Sequence, residues 1–274
     1  ERLCAQGSSQ RVSGRMTLLT VIILAVIQGI TEFLPVSSSG HLALAGTVMN
    51  IPPGDITFEV VVHVGTLMAV LAVYWRDLVD LVSGVLRKQK ESLILAGLLV
   101  LGSIPAAAAG FLLADSVEQL FDRPVVVSIM LIVTGCVLFS TRLAKQGKRE
   151  NPSIIGSLMI GLAQAVALLP GISRSGFTIS SGLFAGIRKE KAARFSFLLS
   201  IPAIAGAAVL KLGDIGESGI ELPLIIVGLV VSAVTGYLAL RLLLSFLSKG
   251  KFSVFAWYCW ALGLSGLVIS ITGG

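Results

Sequence analysis

Apolar residues fall along the whole chain in long runs separated by short polar breaks. Reading the runs gives ten segments, at roughly 18–34, 39–49, 58–75, 93–113, 125–141, 154–169, 175–187, 195–210, 222–247 and 254–271. Several approach the ~20 residues that an α-helix needs to cross a bilayer. The segments starting at Ser39 and Ser175 are too short for that, and each follows a break rich in Pro, Gly and Ser. Such a break between two half-length apolar segments predicts a re-entrant hairpin, two half-helices that enter and leave the membrane on one side.

Composition agrees. The chain is 55% hydrophobic and only 13% charged, whereas a soluble domain carries about a quarter charged residues. The class is therefore an all-α integral membrane protein. Cys4, Cys136 and Cys259 are far apart and match neither a disulfide framework nor a zinc site. Residues 1–16 are polar, lack the layout of a signal peptide, and read as a loose or added tail outside the fold.

The segments also repeat. Gln28 and Gln164, Ser37 and Ser173, Ser39 and Ser175, and Gly40 and Gly176 share one offset of 136 residues (28 to 164). This predicts two copies, 17–152 and 153–274, each a re-entrant hairpin plus three spans. An odd span count inverts the second copy, giving six spans and two hairpins in all. Charge tests the inversion independently. Basic residues cluster at Arg76, Arg87, Lys88 and Lys90; at Arg142, Lys145, Lys148 and Arg149; at Arg188, Lys189, Lys191 and Arg194; and at Lys249 and Lys251. Asp55, Asp115, Glu118, Asp122, Asp214, Glu217 and Glu221 occupy the other connections. Three spans per copy put all the basic connections on one face, which the positive-inside rule makes cytoplasmic. The net charge of +6 thus marks orientation and contact with lipid headgroups, not a nucleic-acid partner.

Both predicted hairpins carry polar groups that need a partner inside a membrane. In the first, Gln28 and Glu32 share a helix face, Pro35 breaks the helix, and Ser37, Ser38, Ser39 and Gly40 turn the chain ahead of His41. In the second, Pro170 and Gly171 break it, Ser173, Arg174, Ser175 and Gly176 turn it, and Thr178 follows. Arg174 stands at the repeat-equivalent position of Ser38. Helix N-termini, hydroxyls and a guanidinium suit phosphate oxygens, while Glu32 and His41 suit proton transfer or, for the carboxylate, a divalent cation. The combination predicts phosphoryl chemistry on something reached from the membrane. His63 and Glu59, at the outer end of the third segment, read as structural, with cation binding open to Glu59.

At these residues a family comes into view. "QGITEFLPVSSSGH", from Gln28, and "PGISRSGFT", from Pro170, resemble the two signature motifs of the undecaprenyl-diphosphate phosphatases of the BacA/UppP type. The resemblance covers essentially Leu18 to the C-terminus. It implies removal of the terminal phosphate of undecaprenyl diphosphate, recycling the lipid carrier of cell-wall glycan synthesis and conferring bacitracin resistance. It further implies a divalent cation such as Mg or Ca, a bacterial plasma membrane and an outward-facing site. The family's functional residues fall on Glu32, Ser38, His41, Ser173, Arg174 and Thr178, and Gln28 stands where other members often have glutamate. Arg174 with Ser37, Ser173, Ser175, Gly176 and Thr178 is expected to hold the diphosphate. Ser38 or a water attacks, and His41 or Glu32 activates the nucleophile, with Glu32 alternatively binding the cation. The sequence leaves these routes open, as it does a homodimer.

Two other functions fit parts of the pattern. A polyprenyl-phosphate flippase or secondary transporter would use the same inverted repeats with broken helices. A membrane phosphatase working through phosphohistidine needs a second catalytic histidine late in the chain, and the only histidines are His41 and His63; that reading is discarded.

Overall fold

The computed structural model describes residues 17–48, 56–121, 123–210 and 220–272. Their regular structure is helical throughout. A short pair, α1 (Leu18–Phe33) and α2 (Ser38–Val48), precedes α3 (Ile56–Val73), α4 (Trp75–Leu86), α5 (Lys90–Phe121) and α6 (Pro124–Ser140). A second short pair, α7 (Ile154–Val166) and α8 (Arg174–Phe184), precedes α9 (Lys189–Leu210), α10 (Leu222–Ser248) and α11 (Phe255–Thr272).

Local chemistry sets the ends. Thr17 caps α1 by accepting from the Thr20 N–H, and Ser153 caps α7 by accepting from the Gly156 N–H at 3.1 Å. Pro124 opens α6, where its missing N–H costs nothing. Among the described residues five helices are long and apolar enough to cross a membrane, and a sixth span results if α3 and α4, bent by 73° at Tyr74, are counted as one. The short helices α1 and α7 are apolar but too short to cross. These are the helices of an integral membrane protein.

One element departs from the sequence reading. The charged stretch after Trp75 was expected as a connection, and it folds as the helix α4. Its residues Val79, Val82 and Leu86 are exposed while Leu78 and Leu81 pack on the core. The charges Arg76, Asp77 and Asp80 had masked this two-sided pattern, which suits a helix lying along a membrane surface.

The described basic connections gather at one end of the bundle. Arg194 pairs with Asp77 at 2.6 Å, joining α9 to α4. The Arg149 backbone bridges to Ile187, donating to the Gly186 carbonyl and accepting from the Arg188 N–H. The Arg142 guanidinium donates to Ser253 Oγ at 3.1 Å. Glu150 accepts from Arg188 and pairs with Lys191, each at 2.8 Å, and those bonds hold its exposed carboxyl below its ordinary value. Of the acidic connections, Asp55, Asp122, Asp214 and Glu217 lie outside the described residues, as does the tail 1–16.

Contacts between the halves are reciprocal. A Cβ on Gly135 of α6 would lie 2.5 Å from Trp260 Cδ1 and 3.1 Å from the Ala256 carbonyl of α11. A Cβ on Gly263 of α11 would lie 2.8 Å from Ile132 Cγ1 and 2.8 Å from the Ser128 carbonyl of α6. The positions correspond at one offset of 128 residues (135 to 263), which is the pattern a local two-fold axis produces. Close approach at small residues is how helices associate in lipid, where packing replaces hydrophobic driving force.

Candidate active site

The two short pairs meet at their turns. A Cβ on Gly40 would lie 3.4 Å from Gly171 Cα, and one on Gly176 would lie 3.4 Å from Pro35 Cβ. Each turn closes alike. Ser37 Oγ accepts from the Gly40 N–H at 3.2 Å and lies 3.2 Å from Ser39 Oγ. Ser173 Oγ accepts from the Gly176 N–H at 3.1 Å and lies 3.2 Å from Ser175 Oγ. Two helix N-termini, of α2 and α8, therefore converge on one point, a charge environment that favours an anion.

Glu32, at the end of α1, organises that point. Its side chain is 3% exposed. Its Oε1 accepts from the Arg174 guanidinium, and its Oε2 accepts from Ser38 Oγ at 2.6 Å and from Gln28 Nε2 at 2.9 Å. The Gln28 bond fixes that amide's orientation, since only its nitrogen can donate. Its Oε1 is then buried and has no hydrogen-bond partner among the described residues. A small cleft beside the pair is lined by Phe33, Ser175, Ser196, Phe197 and Ser200.

The structure thus unites Gln28, Glu32, Ser37, Ser38, Ser173, Arg174, Ser175 and Gly176. Thr178 stands one step away: its hydroxyl bonds the Arg174 carbonyl at 2.7 Å and meets Ser196 Oγ, so it braces α8. His41 is occupied elsewhere. Its Nδ1 bonds the Ser37 carbonyl at 2.7 Å and its Nε2 meets the Tyr258 hydroxyl at 2.7 Å, whereas the bond from the Ser38 hydroxyl goes to Glu32.

Sequence reasoning missed three contributors. Thr134 of α6 donates to the Gly171 carbonyl at 3.0 Å and accepts from the Ser173 N–H at 3.2 Å, pinning the second turn. A threonine inside an apolar run carries no signal of that. Tyr258 sat unremarked among the aromatics of α11. His63 read as structural, yet its Nε2 lies 3.6 Å from Glu32 Oε2 while its Nδ1 bonds the Glu59 carbonyl at 2.7 Å.

The turns differ in backbone at the capping serine. Ser37 has φ 66°, the left-handed region, and its counterpart Ser173 has φ −84°. A non-glycine residue held there costs about 1–3 kcal/mol, which surrounding contacts must offset.

Comparison with known proteins adds a lineage to this geometry. The family model described as bacitracin resistance protein BacA matches residues 21–265. A protein of Desulforapulum autotrophicum named undecaprenyl-diphosphatase is 41% identical over 92% of this chain and 98% of its own length. One of the same name from Halothermothrix orenii is 40% identical over 93% of this chain and 99% of its own. Another, from Methanosphaera stadtmanae, is 36% identical over 93% and 99%.

Proposed function

The chain belongs to the bacitracin resistance protein BacA family, and from that premise we propose that it hydrolyses undecaprenyl diphosphate to undecaprenyl phosphate and inorganic phosphate, an activity that recycles the carrier of cell-wall glycan synthesis. The observation that carries the mechanism is the 2.6 Å hydrogen bond from Ser38 Oγ to Glu32 Oε2. It is the distance at which a carboxylate can take a hydroxyl proton as that oxygen attacks.

In this mechanism the terminal phosphate lies between the N-termini of α2 and α8. Arg174 swings part of its fork from Glu32 to the phosphate oxygens and stabilises the charge of the transition state. Ser38 Oγ bonds the terminal phosphorus, its proton passes to Glu32, and the bond to the bridging oxygen breaks. The leaving group, a prenyl monophosphate, is stable as an anion and needs no proton. Glu32 gives that proton up to solvent, and water then cleaves the phosphoserine: Glu32 takes the water's proton, the bond from phosphorus to Ser38 Oγ breaks, and Glu32 returns the proton to Ser38 Oγ.

A divalent cation fits this site only in partnership with substrate. Among the described residues no three His, Cys, Asp or Glu side chains form a metal cluster. The unpartnered Gln28 Oε1 and the neighbouring Glu32 carboxylate are hard oxygen donors of the kind Mg and Ca take, with diphosphate oxygens and water supplying the rest. Bound there, the ion would neutralise phosphate charge.

The site is read as opening to the outside of a bacterial plasma membrane, with the basic end of the bundle cytoplasmic. The test is phosphate release from a long-chain prenyl diphosphate by purified protein with a divalent cation. Wild type is expected to turn over and Ser38→Ala to lose activity by at least ~10³-fold, with a phosphoserine trapped on acid quenching of wild type alone. Full activity in Ser38→Ala would shift attack to water. Binding without phosphate release by wild type would make the protein a transporter.

A further inference from the structure

We propose that Tyr258 is a positioning residue for this site, acting through His41 to hold the strained Ser37 turn that presents Ser38, and that His41 transfers no proton to or from Ser38. The proposal rests on the phosphatase reading for its kinetic arm alone.

Bond directions establish the clasp. The Ser37 carbonyl can only accept, so His41 Nδ1 carries the hydrogen of that 2.7 Å bond. The Nε2 of the neutral ring is then an acceptor, and the Tyr258 hydroxyl 2.7 Å away donates to it. The two rings also stack, with planes 4° apart and centroids 5.6 Å apart. Both imidazole nitrogens are spent, and neither bonds Ser38, whose hydroxyl donates to Glu32. Tyr258 is 49% exposed on the first turns of α11, and its bond to His41 ties that helix to α2.

Comparison of the halves shows what the clasp is for. The counterpart of His41 in the second turn is Phe177, whose backbone N–H alone bonds the Ser173 carbonyl, at 2.9 Å. That turn is relaxed, with Ser173 at φ −84°. In the first turn Ser37 stands at φ 66°, and its carbonyl accepts from both the backbone and the ring of His41. The extra bond occurs on the half with the unfavourable backbone, directly ahead of Ser38. If Ser37 relaxed, Ser38 would be re-aimed away from Glu32.

Four measurements on the full-length protein test this. In the phosphate-release assay, Tyr258→Phe keeps the stack and removes the hydroxyl; kcat is expected to fall roughly five- to tenfold with KM unchanged, the worth of one hydrogen bond. In a His41→Ala background the same change is expected to alter kcat by less than about twofold, because both act as one unit. His41→Asn, whose amide can still donate to the Ser37 carbonyl but cannot take up a proton, is expected to retain at least about tenfold more activity than His41→Ala. The second arm needs no turnover: in Ser38→Cys protein, adding Tyr258→Phe is expected to change the rate of thiol alkylation at least about threefold as the turn loosens. Wild-type kcat in Tyr258→Phe, losses that multiply in the double variant, or an unchanged alkylation rate overturns the proposal. An inactive wild type with the alkylation change intact would instead count against the phosphatase reading and leave the clasp standing.

Discussion

Replacing Arg174 by methionine removes a cation but roughly keeps the volume, and the structure says what that does to stability apart from catalysis. The Glu32 carboxylate is 3% exposed and gives one of its two oxygens to Arg174. Without the guanidinium it keeps the neutral donors Gln28 and Ser38, with His63 Nε2 3.6 Å from Oε2. Removing one partner of a buried ion pair costs about 3–5 kcal/mol, because the other charge stays buried without compensation. For a chain of this size about 2–4 °C of Tm accompanies each kcal/mol, so a fall of roughly 6–20 °C is expected in detergent. Arg174→Met/Glu32→Gln removes both charges and is expected to recover more than half of that fall, since an apolar and neutral pair carries no buried charge. Thermal unfolding followed by tryptophan fluorescence measures both variants, with phosphate release alongside. The double variant should be the informative protein: stable again, yet without activity. A single variant within about 2 °C of wild type, or a double variant no more stable than the single, would refute the assignment of Glu32 and Arg174 as an interdependent buried pair.

Other sites offer sharper, smaller tests. Thr134→Val leaves the Gly171 carbonyl and the Ser173 N–H without their shared partner; a loss of about 1–3 kcal/mol in stability and a raised KM are expected, read by thermal unfolding and steady-state kinetics. Gly171→Ala places a Cβ against the Val127 carbonyl oxygen at a residue with φ 93°; protein that folds is expected to have lost at least ~10²-fold in kcat/KM. Orientation is checked with single cysteines in intact cells: Asp115→Cys is expected to react with an impermeant maleimide from outside, and Lys148→Cys only after the cells are opened.

Much of this molecule was legible in the order of its residues, and the reasons are specific. Pro35, Pro170 and Gly171 sit where an apolar helix must stop, and the serines after them supply caps, so the α1–α2 and α7–α8 turns could be placed from type and spacing alone. Glu32 and Arg174 stood out because a charge in an apolar run demands a partner. Their pairing across 142 positions was not legible, since nothing local to either motif records which ionised group the other hairpin brings near. The same holds for Thr134 and Tyr258, whose neighbours in sequence are apolar or aromatic and whose partners come from distant parts of the chain. Helix α4 was missed for a different reason: Trp75–Leu86 is amphipathic, and its charges break the apolar run that marks the other helices.

The matched turns carry a consequence for how such a centre can come about. Two like hairpins facing across an axis offer two like seats at their tips, at positions 38 and 174, and here one holds a hydroxyl and the other a guanidinium. Identical occupants would give either two nucleophiles with nothing to hold the phosphate, or two cations crowding one carboxylate. A duplicated scaffold becomes a working site only by breaking its own symmetry at that pair of seats. Specialisation of twin halves, more than any added segment, is then the inventive step, and under the proposed mechanism the left-handed Ser37 with its histidine latch marks the twin that carries the attacking serine.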